Sequence, residues 1–275
     1  MLDDSDIISF PGFSTISQPR KQKHFRKSGG LAVLIKDRFA EFCKHIDTTS
    51  DYILWLSLNK SLTNTEENVI LGVIYVPPTQ SRFFNDEELT NLENEITSMC
   101  SNYKYVFVTG DFNARTSHLN DFTQLDHFVS DMLEFDEDTV NFFDKTKYLD
   151  RLNIPLQRAS KDTKINNAGY WLTDICKNNN LFIINGRFGK DKGIGSATFR
   201  DKSVIDYTVC TAESFEFLFE FEVIELDPLF SDGHTLLSWS LSVNVTSSPV
   251  VINKLSEGIS YKWSDDAKTQ FLDLN

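Results

Sequence analysis

Lys104–Arg115, KYVFVTGDFNAR, is the stretch on which the reading of the chain turns. Tyr105 to Val108 form an unbroken aromatic and β-branched run, the pattern of a strand buried on both faces. The run meets Gly110, whose missing Cβ frees the backbone to turn, and then Asp111 and Asn113. Two apart in a still extended segment, those two side chains would project to one side. A carboxylate there can take a proton from water or hold a cation, and an amide NH2 can donate to a phosphate oxygen without adding charge. A polar turn closing a strand uses the same residue types, so Gly-Asp-x-Asn by itself leaves both readings open.

Upstream, LAVLIK (31–36), YILWLSL (52–58) and VILGVIYV (69–76) read as further strands, the last ending at Tyr75 before Pro77-Pro78. Residues 7–16 read as extended structure broken by a Pro-Gly turn. Arg20, Lys21, Lys23, His24, Arg26 and Lys27 crowd before Gly29-Gly30, either a solvated hairpin tip or a phosphate-contacting loop. Leu89, Leu92, Ile96 and Met99 fall near helical spacing, predicting an amphipathic helix over residues 83–101 that feeds the central strand. This alternation argues an α/β architecture.

Downstream, residues 117–164 carry no clear period, and His118 and His127 within them read as surface or loop residues. A helix is predicted from Asn166 to Lys177, ended by Asn178–Asn180, with LFIINGR (181–187) starting the next strand. Asp206 stands within an apolar strand, SVIDYTVC, where a carboxylate is costly unless paired. DPLFSDGHTLLSWSL then offers Asp232 and His234 just before another strand. An imidazole held by one carboxylate, near a second carboxylate and an amide, is what phosphodiester hydrolysis needs.

The 275 residues, 40% of them hydrophobic, suffice for a large α/β core. A net charge of −13 argues against a surface that binds nucleic acid throughout, while leaving room for local basic patches or for carboxylates gathered around a divalent cation. The four cysteines are dispersed without zinc spacing, and no apolar run approaches a membrane span. A soluble, reduced, intracellular protein of nucleus or cytoplasm is expected.

Taken together, Tyr75 in VIYVPP, GDFN at 110–113, Asp206 in SVIDY and SDGH at 231–234 resemble the endonuclease/exonuclease/phosphatase superfamily. More narrowly they look like the endonuclease domain of a LINE-type (non-LTR) retrotransposon polyprotein, to which Arg158-x-Ser-x-Asp162 with Asn166-x-x-Gly169 adds. The resemblance implies a four-layer α/β/β/α sandwich with two mixed sheets over residues 1–245. Residues 246–275 would be a linker and the start of a following helix toward a reverse transcriptase. It implies a Mg2+- (or Mn2+-) dependent DNA endonuclease. Asp111 would activate water, Asn113 and His234 would hold the phosphate, and Asp206 would orient His234. Asp232 would bind metal, Tyr75 would line the site, and Thr198 and Ser203 would contact substrate. The family's first strand and helix, with its metal-binding glutamate, are expected to lie before Leu2, which would leave a sheet edge or apolar face exposed. A catalytically inactive fragment or binding module, and a phosphoesterase acting on a non-nucleic substrate, are the alternatives.

The family's Ser-Asp-His is interrupted here by Gly233. In a regular strand Asp232 and His234 would then face the same way, so a bulge or loop is expected at this point, with His234 close to Asp206.

Overall fold

A computed structural model describes residues 8–20, 29–123, 145–229, 231 and 233–242. Asp232, His127, the lysines of the 21–28 segment, the boundary at 245 and the linker and helix start expected over residues 246–275 lie outside the described residues.

Six strands make one mixed sheet in the order β3 (Cys43–Ile46), β4 (Ile53–Leu58), β5 (Val69–Tyr75), β6 (Val106–Asp111), β8 (Asp206–Thr211) and β7 (Leu181–Ile183). Only β5 and β6 run parallel, because the connection between them is a crossover through helix α3 (Asp86–Asn102). Asn85 caps that helix by accepting from Glu87 N at 2.8 Å, and Asp86, Glu87 and Glu88 meet the positive end of its dipole. Helix α5 (Asn167–Asn179) is capped in the same way, Asn166 accepting from Gly169 N at 2.8 Å, and it ends at Asn180 in the left-handed region, φ 51°. Leu92 and Ile96 of α3 and Leu172, Ile175 and Cys176 of α5 pack on Ile53, Trp55, Ile70, Val106 and Val108 of one sheet face.

The alternate residues of the same strands face a second β layer. That is why the sequence runs are apolar throughout rather than alternating. Leu54, Leu56 and Val73 meet Leu31 and Ile35 of a ribbon formed by β1 (Phe13–Gln18) and β2 (Leu31–Lys36). Phe107 meets a second ribbon, β9 (Leu218–Ile224) with β10 (Leu236–Leu241), and Trp239 stacks on it with ring centres 4.9 Å apart and planes 14° from parallel. The mixed α/β architecture is as expected, but the second layer differs in detail from the expected mixed sheet. Among the described residues it is two antiparallel hairpin pairs, each closed on its sequence neighbour. The outer side of the β9–β10 pair leaves Phe219 71% and Leu236 64% exposed.

Three local readings differ as well. The strand expected over 181–187 stops at Ile183, because Asn185 substitutes its side chain for the ladder, Oδ1 accepting from Thr208 N at 3.0 Å and Nδ2 donating to Asp206 O at 3.2 Å. Helix α4 (Thr146–Arg151) lies within the stretch that showed no period, and at 6 residues it is too short to show one; α1 (Asp37–Ala40) and α2 (Lys60–Thr63) are single turns. The four cysteines are free thiols. Among the described residues no helix is long and apolar enough to cross a membrane.

Candidate active site

Strand register brings the first three candidate residues side by side. Tyr75 pairs with Asp111 across β5 and β6, and Asp111 pairs with Asp206 across β6 and β8. Directly opposed positions share a face, which here is the face carrying the second β layer. Gly110 makes this row possible, since its φ is +140° and a Cβ there would lie 2.1 Å from Ile74 O.

Asn113 reaches the same place by a route the spacing did not suggest. The chain does not stay extended: Asn113 has φ +47°, its backbone N donates to Asp111 Oδ1 at 2.8 Å, and its Nδ2 donates to Asp111 Oδ2 at 3.0 Å and to Val76 O at 2.9 Å. A turn built on the aspartate, rather than the pleat of a strand, brings the two together. Both amide hydrogens are thereby used. In this geometry Asn113 holds Asp111, and donating to a phosphate requires it to release one of those bonds.

His234 comes from the loop before β10. Ser231 Oγ accepts from His234 N at 2.9 Å and from Gly233 N at 3.3 Å, so the inserted residue is absorbed in a serine-closed turn, as a loop was expected to do. Gly233 is needed for room: a Cβ would lie 2.8 Å from the Phe199 ring. Phe199 pairs with His234 as an isolated bridge, and Thr235 N donates to Thr198 O at 2.8 Å. His234 Nδ1 then sits 3.1 Å from both oxygens of Asp206, with 37% of its side chain exposed against 11% for Asp206. A hydrogen on Nδ1 leaves Nε2 for a ligand.

One ligand atom from each of Asp111, Asp206 and His234 lies within 4.8 Å of the others. Burial and then the neighbouring Asp206 charge push the Asp111 carboxyl up to about 6. Burial also raises Asp206, which His234 and Thr198 partly offset. Burial raises the Tyr75 hydroxyl, and Asp111 adds to it. The Arg20 guanidinium lies 5.8 Å from the centre of the Tyr75 ring, with Tyr52 and Phe83 completing a cage around it. A buried and a half-buried carboxylate facing one another suit a divalent cation, and Mg2+ needs only one or two carboxylates because it keeps several waters.

Thr198 and Ser203 are not placed to contact a substrate. Thr198 is 0% exposed, and its Oγ1 accepts from Ile205 N at 2.9 Å and Asp206 N at 3.0 Å. Ser203 is buried at the base of a tight turn, its backbone paired with Phe199. Thr198 therefore positions Asp206 from behind. Thr198→Val, which strands two buried donors, is expected to cost about 1–3 kcal/mol in urea denaturation. If activity is present, kcat should fall with KM nearly unchanged.

The Arg158–Gly169 motif has a structural explanation that spacing alone did not supply. Asp162 takes Arg115 Nε at 2.8 Å and Nη2 at 2.6 Å, and also Val204 N at 3.1 Å. Asn166 Oδ1 accepts from Arg115 N at 2.8 Å and its Nδ2 donates to Asn113 O at 3.0 Å, while Arg158 Nη2 donates to Thr116 Oγ1 at 2.7 Å and Leu119 O at 3.2 Å. These bonds fasten the segment that follows Asp111, and Asp162 also ties it to the strand bearing Asp206.

No protein-family model matches this sequence, and no curated protein matches it in a sequence search. Solved structures do resemble it. The AP endonuclease LMAP from Leishmania major has a TM-score of 0.51 at 10% identity, over 84% of this chain and 71% of that one. The 3′ phosphatase NExo from Neisseria, bound to a product DNA hairpin, has a TM-score of 0.50 at 12% identity, over 88% and 85%. The endonuclease domain of TRAS1, a telomere-specific non-LTR retrotransposon, has a TM-score of 0.49 at 14% identity, over 86% and 82%. The likeness to LMAP and NExo shows that the chain shares their fold, with its candidate site at the Asp111 end of the parallel pair β5–β6.

Proposed function

We propose that this chain is a metal-dependent phosphodiesterase that nicks DNA, and that it serves as the endonuclease of a non-LTR retroelement within a longer polyprotein that includes a reverse transcriptase. The observation that carries the hydrolytic reading is the convergence of Asp111, Asp206 and His234 within 4.8 Å, with Asn113 bonded to Asp111. The DNA in the NExo structure supports the substrate, and the Arg158–Gly169 motif supports the retroelement branch. Net charge bears on the same point. A protein at −13 approaches a polyanion only where cations are local.

In this reading Asp111 takes the proton of a water whose oxygen bonds to phosphorus, and the bond from phosphorus to the leaving sugar oxygen breaks, that oxygen keeping the electron pair and taking a proton from solvent water. Asp206 holds Nδ1 of His234, so that Nε2 meets a non-bridging phosphate oxygen. Tyr75 walls the site beside Asp111. Asp232 is the residue that sequence assigns to Mg2+ or Mn2+, and the cation would offset the charge that develops on the phosphoryl oxygens.

Supercoiled plasmid tests the reading. With Mg2+ the chain is expected to give nicked circles, and EDTA is expected to stop the reaction, with excess Mg2+ restoring it. No nicking at high protein concentration would remove the activity and favour a binding module. Cleavage of small phosphomonoesters or phosphoinositides with intact plasmid would move the chemistry to a non-nucleic substrate.

A further inference from the structure

Arg20 lies two residues beyond β1 with its guanidinium buried, and none of Nε, Nη1 and Nη2 has a hydrogen-bond partner. What surrounds it is aromatic. Its guanidinium carbon lies 5.8 Å from the centre of the Tyr52 ring, 5.8 Å from that of Tyr75 and 5.5 Å from that of Phe83. Gly29 leaves room for it, since a Cβ there would lie 2.8 Å from that carbon. A guanidinium is planar and weakly hydrated, so it can exchange water for ring faces, and attraction to three of them offsets its burial. The offset is incomplete, because its N–H donors stay unmet. A buried polar group left in that state calls for a role other than holding the fold together.

The three walls are not equivalent. Tyr52 Oη donates to Phe83 O at 3.0 Å and accepts from Asn85 N at 2.7 Å, so two walls are fastened to one another and to the residue that caps α3. Tyr75 has no such anchor. Its ring rests on the edge of the cluster of Leu31, Ile35, Leu54 and Leu56, and its hydroxyl has no hydrogen-bond partner among the described residues. Its partner in the strand register is Asp111. Contact through the ring face fixes such a side chain and leaves its O–H unused, whereas a hydrogen bond to the hydroxyl would occupy it.

We propose that Arg20 is a positioning residue of the candidate site: its buried cation clamps the Tyr75 ring against the fastened pair Tyr52 and Phe83, and so holds Tyr75 in the row with Asp111, its hydroxyl still free to donate. Arg20 acts through Tyr75 and meets no substrate. The clamp belongs to the folded chain and needs no catalysis, and only its consequence for rate rests on the phosphodiesterase reading.

Fluorine NMR of the full chain labelled with fluorotyrosine tests the clamp, the Tyr75 resonance being assigned by its loss in Tyr75→Phe. Arg20→Met is expected to move that resonance toward the position of free fluorotyrosine and to narrow it, as the ring gains motion. Arg20→Lys, which keeps a cation, is expected to change it less. Arg82→Met removes an exposed cation 4.7 Å from the centre of the same Phe83 ring and is expected to leave the Tyr75 resonance where it is. The melting temperature of Arg20→Met should be unchanged or higher, because a buried charge is removed without breaking a pair. In plasmid nicking with Mg2+, kcat of Arg20→Met is expected to fall about tenfold with KM within about twofold, and Arg20→Lys to recover part of the loss. A Tyr75 resonance that does not respond to Arg20→Met would overturn the clamp. So would a loss of kcat that follows a lowered melting temperature and that lysine does not recover. If the unaltered chain does not nick plasmid, the phosphodiesterase reading fails and the resonance alone decides the clamp.

Discussion

Asp111→Asn is expected to lower plasmid nicking by about 10²–10⁴-fold, the range for removing a positioned general base, and to raise stability near neutral pH. The two effects have one cause. Asp111 faces Asp206 across the sheet, and burial together with that neighbour raises its pKa from 3.8 to about 6. A folded pKa above the unfolded one means that the folded chain keeps the proton longer. Stability is then fully present below about 4 and is lost as pH rises through about 6. Two pKa units correspond to at most just under 3 kcal/mol, which solvent at a partly open site reduces to about 1–2 kcal/mol. Asparagine carries no charge, though it gives up one of the two oxygens that accept from Asn113. Urea denaturation should therefore show the variant gaining about 1–2 kcal/mol on wild type between pH 4 and pH 7.5. Equal pH dependence in the two proteins would mean that the carboxylate pair is not electrostatically strained.

The second large effect is on stability alone. Arg187→Met is expected to cost about 3–5 kcal/mol, because it leaves Asp121 as a buried charge without its ion-pair partner, with the Ile183 N hydrogen bond remaining. The Arg187 and Asp121 side chains are 0% and 1% exposed. Nη1 and Nη2 each reach an Asp121 oxygen at 2.7 Å, and the remaining donors bond to Pro155 O, Leu156 O and Ile183 O. Burial raises the Asp121 carboxyl, yet Arg187 outweighs it and holds the group below the ordinary carboxylate range. Adding Asp121→Asn to Arg187→Met should recover much of the loss, since the unpaired charge goes with it. Single and double variants in urea denaturation at pH 7 separate the two contributions. A loss under 1 kcal/mol for Arg187→Met would show that the pair is not stabilising the folded state.

How much of this was legible depended on how local the cause was. The central strand, both long helices and the turn at 231–234 follow from runs, caps and spacings within a few residues of one another. The ribbon strand Leu218–Ile224 was not singled out, although Phe215, Phe217, Phe219, Phe221 and Val223 alternate through that region. Arg187 and Asp121 are 66 residues apart, and nothing near either names the other. The site divides in the same way. Asp111, Asp206 and His234 could be nominated as chemical types; strand register aligns the two aspartates, and the turn before β10 delivers the histidine. Thr198 was misread as a substrate contact because a hydroxyl near a site looks the same in sequence whether it faces a ligand or the backbone. Asn113 was read as extended, whereas its bonds to Asp111 are made through a left-handed turn that no side-chain period reports.

Asp111 and His234 are proposed to act on one phosphate as parts of one site. Single-turnover nicking by Asp111→Asn, by His234→Ala and by the double variant tests it most directly. Groups that serve one step are strongly non-additive, so the double variant is expected to lose about as much as the worse single one. Losses that multiply, or full activity in either single variant, would show that the two side chains do not share a catalytic site.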